Sequence, residues 1–185
     1  MPGSVMRTLR AGILTAALLL AAAAPAWADA LSVTADVPIV YTFKESSLKD
    51  TSPRGLLVGV SLPSLLGVGL EAYKVTGKIA NPTPPDTEFE YKVTMLDAYL
   101  DVPFPAANLV LGVGLGKGRF ATVPATVPFS DAGLAQAFFS VGVPFGGAFD
   151  AHVGYRVIRG EANVGTSGKV NLDARMATIG LKMGF

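Results

Sequence analysis

Leu31, Val33, Ala35, Val37, Ile39, Tyr41 and Phe43 are all apolar and all at odd positions, with Ser32, Thr34, Asp36 and Thr42 among the residues between them. Side chains of an extended chain point alternately to its two faces, so an unbroken series of this kind defines the apolar face of a β-strand. The other end repeats the pattern. Ala177, Ile179, Leu181, Met183 and Phe185 alternate with Thr178, Gly180, Lys182 and Gly184. Half of the chain is apolar and only 16% is charged, a balance that often signals membrane helices. Beyond residue 28, however, the best apolar stretch, Leu56 to Leu70, is broken by Ser61, Pro63 and Ser64. It falls short of the roughly 20 residues a spanning helix needs. The apolar residues are therefore deployed with period two, and the fold class is all-β.

Six more strands fit between these ends. Val58, Val60 and Leu62 share a face, as do Leu66, Val68 and Leu70 after a turn at Pro63-Ser64. Leu109 to Leu115, Ala135 to Val143 and Phe149 to Val157 each carry apolar residues at odd positions. The fourth strand, Phe89 to Val102, changes phase, because Phe89, Tyr91 and Val93 are followed by Leu96, Ala98, Leu100 and Val102. A bulge near Thr94-Met95 would keep all seven on one face. Short turns begin at Pro63, Pro103 and Pro144, one hairpin apart each time, whereas the segments Lys44 to Gly55, Thr76 to Glu88, Ala121 to Asp131 and Gly160 to Leu172 read as longer polar loops. Short turns at one end and longer loops at the other are the pattern of a transmembrane barrel, periplasmic and extracellular respectively. The expectation is an eight-stranded antiparallel up-and-down β-barrel.

Residues 1–28 read as a cleavable signal peptide and 29–185 as the barrel. Arg7 and Arg10 precede an apolar run from Ala11 to Ala24, Pro25 ends it, and Ala26-Trp27-Ala28 offers small residues at the cleavage positions. Loss of this segment takes two of the 15 basic residues and none of the 14 acidic ones. The resulting balance argues against a nucleic-acid partner, which would need a basic patch to neutralise phosphates. The sequence contains no cysteine, which removes disulfides, cysteine-based metal sites and a lipid anchor. His152 is the only histidine, so a multi-histidine metal site is excluded as well. No cofactor is implied.

Aromatic residues gather near the strand ends. Tyr41, Phe43, Phe89, Tyr91, Phe120 and Tyr155 lie toward the longer loops; Phe104, Phe145, Phe149 and Phe185 lie toward the short turns. Two aromatic belts are what the two interfaces of a bilayer select. The last strand, Ile179 to Phe185, resembles the C-terminal assembly signal of outer-membrane barrels, which end on an aromatic residue preceded by alternating apolar ones. That resemblance implies recognition of Ile179, Leu181, Met183 and Phe185 by the barrel-assembly machinery, with periplasmic chaperones as earlier partners. Over its mature length the chain is similar to the small eight-stranded barrels of the OmpA, OmpX and OmpW type, which implies a bacterial outer-membrane location among lipid and lipopolysaccharide, as a monomer. A periplasmic domain of the kind that full-length OmpA carries is not expected, so that anchoring role does not transfer.

The remaining alternate positions place Asp36, Glu71, Asp97, Asp101, Asp150, His152, Arg156, Arg175 and Lys182 on the inward face. An eight-stranded barrel is only wide enough for side chains to fill it, and ions there must be paired. These residues read as a salt-bridged plug, and Tyr99 is expected to cover the gap at Gly112. Ser140, Asp150 and His152 share that surface and have the residue types of a hydrolase triad, but no strained nucleophile turn surrounds Ser140. The sequence reading is therefore a non-enzymatic barrel with a structural, adhesive or surface-protective role and a filled lumen. A narrow channel for small hydrophobic or polar solutes, the OmpW-like alternative, and a lipid-modifying enzyme complete the set.

Overall fold

The computed structural model describes residues 31–62, 65–82, 85–104, 106–123, 129–145, 148–164 and 168–185. The proposed signal peptide, Pro63-Ser64 and parts of the segments Thr76 to Glu88, Ala121 to Asp131 and Gly160 to Leu172 lie outside the described residues. The strands are β1 (Ser32–Phe43), β2 (Leu48–Ser61), β3 (Leu66–Ile79), β4 (Thr87–Pro103), β5 (Asn108–Val123), β6 (Ala132–Phe145), β7 (Phe149–Val164), β8 (Gly168–Asn171) and β9 (Ala174–Gly184). From β1 to β8 each strand pairs antiparallel with the next, and β9 pairs antiparallel with both β7 and β1. The sheet is thereby closed. β8 and β9 keep one register against β7, with Asn171 opposite Glu161 and Ala174 opposite Ile158. They are two parts of a single stave, and the barrel has eight.

Closure leaves no sheet edge, which is the condition for placing backbone in hydrocarbon. Both described chain ends lie at the short-turn end, where the Phe185 N–H donates to the Leu31 carbonyl at 2.9 Å. Leu65 takes a positive φ of 65° in the turn between β2 and β3. Its carbonyl accepts from the Asp101 N–H at 2.8 Å, which ties that turn to β4.

Two expectations about phase are corrected. The fourth strand contains no bulge. Its pairing with β3 runs unshifted from Ile79 opposite Thr87 to Leu66 opposite Leu100, and Phe89, Tyr91 and Val93 face inward with Met95, Asp97, Tyr99 and Asp101. A register shift occurs instead in β1, between Pro38 and Val40, and another in β2, between Lys49 and Ser52. Ile39 and Val40 both face outward, and Tyr41 and Phe43 are turned into the lumen. An uninterrupted series of odd-numbered apolar residues thus crosses from one face to the other. Two of the segments expected as long loops, Lys44 to Gly55 and Gly160 to Leu172, are largely strand, since β2 begins at Leu48 and β7 reaches Val164, and β3 continues to Ile79.

Candidate functional site

Among the described residues, polar side chains are gathered away from water in the lumen, which is built in two storeys. The storey toward the short turns is ionic. Arg156 on β7 reaches across to β3, placing Nη1 2.8 Å from Glu71 Oε1, and its Nη2 is 3.8 Å from Asp36 on β1. Its guanidinium also lies 4.2 Å over the Phe138 ring, a cation–π contact that holds the fork in place. His152 Nε2 is 2.6 Å from Asp36. Gln136 on β6 uses one amide nitrogen twice, donating to Glu71 at 2.9 Å and to Asp97 at 2.7 Å. Nearer the turns, Lys182 donates to Asp101 at 2.6 Å, Ser61 donates to the same carboxylate at 2.8 Å, and Asn108 bonds Asp150. The cavity left among these groups is about 50 Å³, room for a few waters.

The other storey is apolar. Tyr41, Phe43, Tyr73, Phe89, Tyr91 and Phe120 converge inside the barrel with Val75, Met95, Ile158, Leu172 and Met176, all buried. Phe89 stacks on Phe120 with centroids 4.8 Å apart, and Phe43 meets Phe89 edge-on at 5.7 Å. This overturns the aromatic belt expected toward the longer loops. Of its six members, only Tyr155 faces outward. Width for these rings comes from glycine on the adjacent strand. Tyr73 lies opposite Gly55, Phe89 opposite Gly77, Tyr99 opposite Gly67 and Phe138 opposite Gly112. A Cβ at Gly67 would sit 2.0 Å from the Tyr99 ring, and one at Gly112 would sit 2.3 Å from Phe138. Tyr99 faces inward and pairs with Gly112, but the ring over Gly112 is Phe138, whereas Tyr99 covers Gly67 and Gly59.

The exterior is the inverse of a soluble protein. Leu66, Val68, Leu70, Leu96, Val113, Leu115, Val153 and Leu181 are more than half exposed. Along β4 the outward positions from Phe104 up to Thr94 carry no charge, about the ten residues a tilted strand uses to cross a bilayer. Phe104, Phe145, Phe149 and Phe185 all face outward at the short-turn end, where the expected aromatic belt does lie. A surface of this kind is stable only against lipid.

No protein-family model matches the chain, and no characterised protein matches it by sequence. Solved structures of outer-membrane proteins share its fold. The outer membrane protein OprG from Pseudomonas aeruginosa superposes with a TM-score of 0.57 at 11% identity, covering 85% of this chain and 96% of that one. Neisserial surface protein A superposes with a TM-score of 0.53 at 16% identity, covering 84% and 97%. The fold is that of a small outer-membrane β-barrel. Likeness at this level of identity establishes architecture, and the chemistry must come from the residues themselves.

Asp36, Glu71, Asp97, Asp101, Asp150, His152, Arg156 and Lys182 all line the lumen or its mouth. Arg175 does not. It is exposed, between inward Ala174 and Met176, because it shares the odd parity of outward Ala177 and Ile179. Sequence reasoning missed Gln136, which joins two carboxylates, and Ser61; both occupy the same alternate positions as the charged residues. Ser140, Asp150 and His152 are not assembled for catalysis. The Ser140 hydroxyl donates to the Val153 carbonyl at 3.1 Å, His152 is engaged by Asp36, and Asp150 by Asn108. Of the proposed assembly positions, Ile179 and Leu181 point outward on β9, Met183 is half-buried, and Phe185, just beyond β9, is 62% exposed.

Proposed function

We propose that this protein is a structural barrel of the outer membrane that does not conduct and has a surface-protective or adhesive role. The observation that carries this reading is the doubly blocked lumen. A solute entering from the short-turn, periplasmic end meets the Arg156–Glu71–Asp36 cluster, and beyond it the packed rings of the second storey. Opening the first would separate buried ions, at a cost of several kcal/mol; opening the second would break a packed aromatic core. At the other end β2, β3, β4 and β7 continue well past the apolar belt, so the barrel presents a stiff polar rim to the exterior. The name of the similar Neisserial protein, a surface protein, accords with such a role.

One feature favours the narrow-channel alternative. Five carboxylates (Asp36, Glu71, Asp97, Asp101 and Asp150) share the polar storey with only Arg156, Lys182 and His152, and an excess of anionic groups suits a cation path. Planar-bilayer recording decides between the two. The structural reading expects no stable unit conductance, and steady single-channel steps would overturn it. Cells lacking the protein should show altered surface attachment or envelope resistance with unchanged solute uptake. An uptake defect would favour the channel.

A further inference from the structure

The outward face of β2 to β5 carries an unusual arrangement at the level where the apolar belt ends. Arg54 lies directly opposite Lys74, Lys74 opposite Lys92, and Lys92 opposite Arg119. Four cations thus occupy one continuous cross-strand row, about 14 Å long at the usual spacing of neighbouring strands. Like charges directly opposite one another weaken strand pairing, and the row's own acids do not compensate. Glu90 is shared between Lys74 at 3.0 Å and Lys92 at 2.9 Å, and Asp131 pairs with Arg119 at 3.1 Å. Among the described residues Arg54 has no carboxylate within ion-pair distance, and Lys117, outward beside Arg119, acts on Asp131 only from longer range. Five cations therefore face two carboxylates.

The imbalance is confined to this level. Nearer the hairpin tips, Lys49 pairs with Asp86 at 3.0 Å and Lys78 with Asp50 at 3.6 Å. On the side toward the short turns, the same four strands present Val58, Leu70, Leu96 and Leu115 in one register, and all four are exposed. The side chains of Lys74, Lys92 and Arg119 are 44%, 66% and 73% exposed. They are accessible to a ligand lying against the barrel wall.

We propose that this row is a binding site for the phosphate groups of an outer-leaflet phosphoglycolipid, with its acyl chains on the aliphatic register below. The inference rests on the outer-membrane reading above but not on whether the lumen conducts. A ligand with anionic groups joined to hydrocarbon matches both halves of the surface at once. Phosphate relieves the cation–cation repulsion, and the two arginines offer planar forks suited to it. The lysines can lay their stems along the belt while keeping their ammonium groups at headgroup level.

The test uses the barrel purified from outer membranes and reconstituted in phosphatidylcholine nanodiscs. The probes are bisphosphorylated lipid A and the same lipid with both phosphates removed. The wild type should retain the phosphorylated form at least tenfold more strongly. The variant R54Q/K74Q/K92Q/R119Q should lose that preference, whereas K49Q/K78Q should keep it. Glu90→Gln, which removes the shared counter-charge, should raise retention severalfold, and it supplies a test even where the fourfold variant does not fold. A preference that survives in R54Q/K74Q/K92Q/R119Q, or is unchanged in Glu90→Gln, overturns the site. Full displacement of lipid A by millimolar inorganic phosphate would instead assign the row to free phosphate and overturn the lipid assignment. Bilayer conductance of the wild type is unaffected by any of these outcomes, so failure here is separable from failure of the structural reading.

Discussion

Replacing Arg156 by methionine removes the guanidinium that Glu71 and Asp36 share while keeping a flexible apolar chain of similar length. The Arg156 and Glu71 side chains are 6% and 1% exposed and 2.8 Å apart. Taking one partner from a buried pair of this kind costs about 3–5 kcal/mol, because the remaining charge is left without compensation. Loss of the contact over Phe138 adds up to about 1 kcal/mol. Two features offset the cost. Asp36 retains His152 at 2.6 Å, and Glu71 retains the Gln136 amide at 2.9 Å. A net loss of about 3 kcal/mol is expected. With an unfolding slope of about 2 kcal/mol per molar urea, the midpoint should fall by about 1.5 M. The assay is reversible urea unfolding in detergent micelles, followed by far-UV circular dichroism and by the shift between folded and unfolded bands in unheated gels. Glu71→Gln in the same background should recover most of the loss, giving a coupling of about 2 kcal/mol between the two sites. A midpoint change below about 0.5 M in Arg156→Met, or strict additivity in the double variant, would show that the pair does not hold the polar storey together.

Gly67→Val should destabilise the barrel by about 1–3 kcal/mol through overpacking against Tyr99, and Tyr99→Leu should restore part of it; an unchanged midpoint in Gly67→Val would show that the ring is not confined. Phe185→Ser should refold in detergent within about 2 kcal/mol of the wild type yet insert poorly in cells, and normal cellular insertion would remove the assembly-signal assignment. Purified mature protein should emit as tyrosine only, since Trp27 is the sole tryptophan and precedes the proposed cleavage point; clear tryptophan emission would mean that the segment is retained. Asp86, at the tip between β3 and β4, accepts from Lys49 and from the Asn81 N–H, and both hold its carboxyl below the usual value of 3.8. A depressed folded value means that this clamp is fully present above about pH 4 and is lost as the pH falls through the lower folded value; a carboxyl chemical-shift titration centred at or above 3.8 would contradict the contact.

Much of this architecture is legible in the sequence. Period-two alternation, proline-led turns one hairpin apart and an aromatic terminus specify an eight-stranded barrel, because only a closed sheet can place apolar residues on alternate positions of every strand against lipid. The same parity located the inward charges. The parity that Arg175 shares with Ala177 and Ile179 puts it on the outer face, against the expectation. What the linear pattern could not decide was the direction of the apolar residues near the rim. Tyr41, Phe43, Phe89 and Tyr91 suit a lipid-facing belt and a lumen plug equally well, since both environments exclude water.

Their direction was settled by pairing across strands. Once Phe89 falls opposite Gly77 and Tyr73 opposite Gly55, the interior gains the width that rings need, and a one-residue shift in β1 turns Tyr41 and Phe43 in to join them. Register is likewise what brings Arg54, Lys74, Lys92 and Arg119 into one row. In the sequence they are separated by intervals with no common period, and only the closed sheet sets them side by side. Composition and periodicity fix which faces exist; the register of closure decides which side chains meet, because contacts between strands depend on pairings that no single strand encodes.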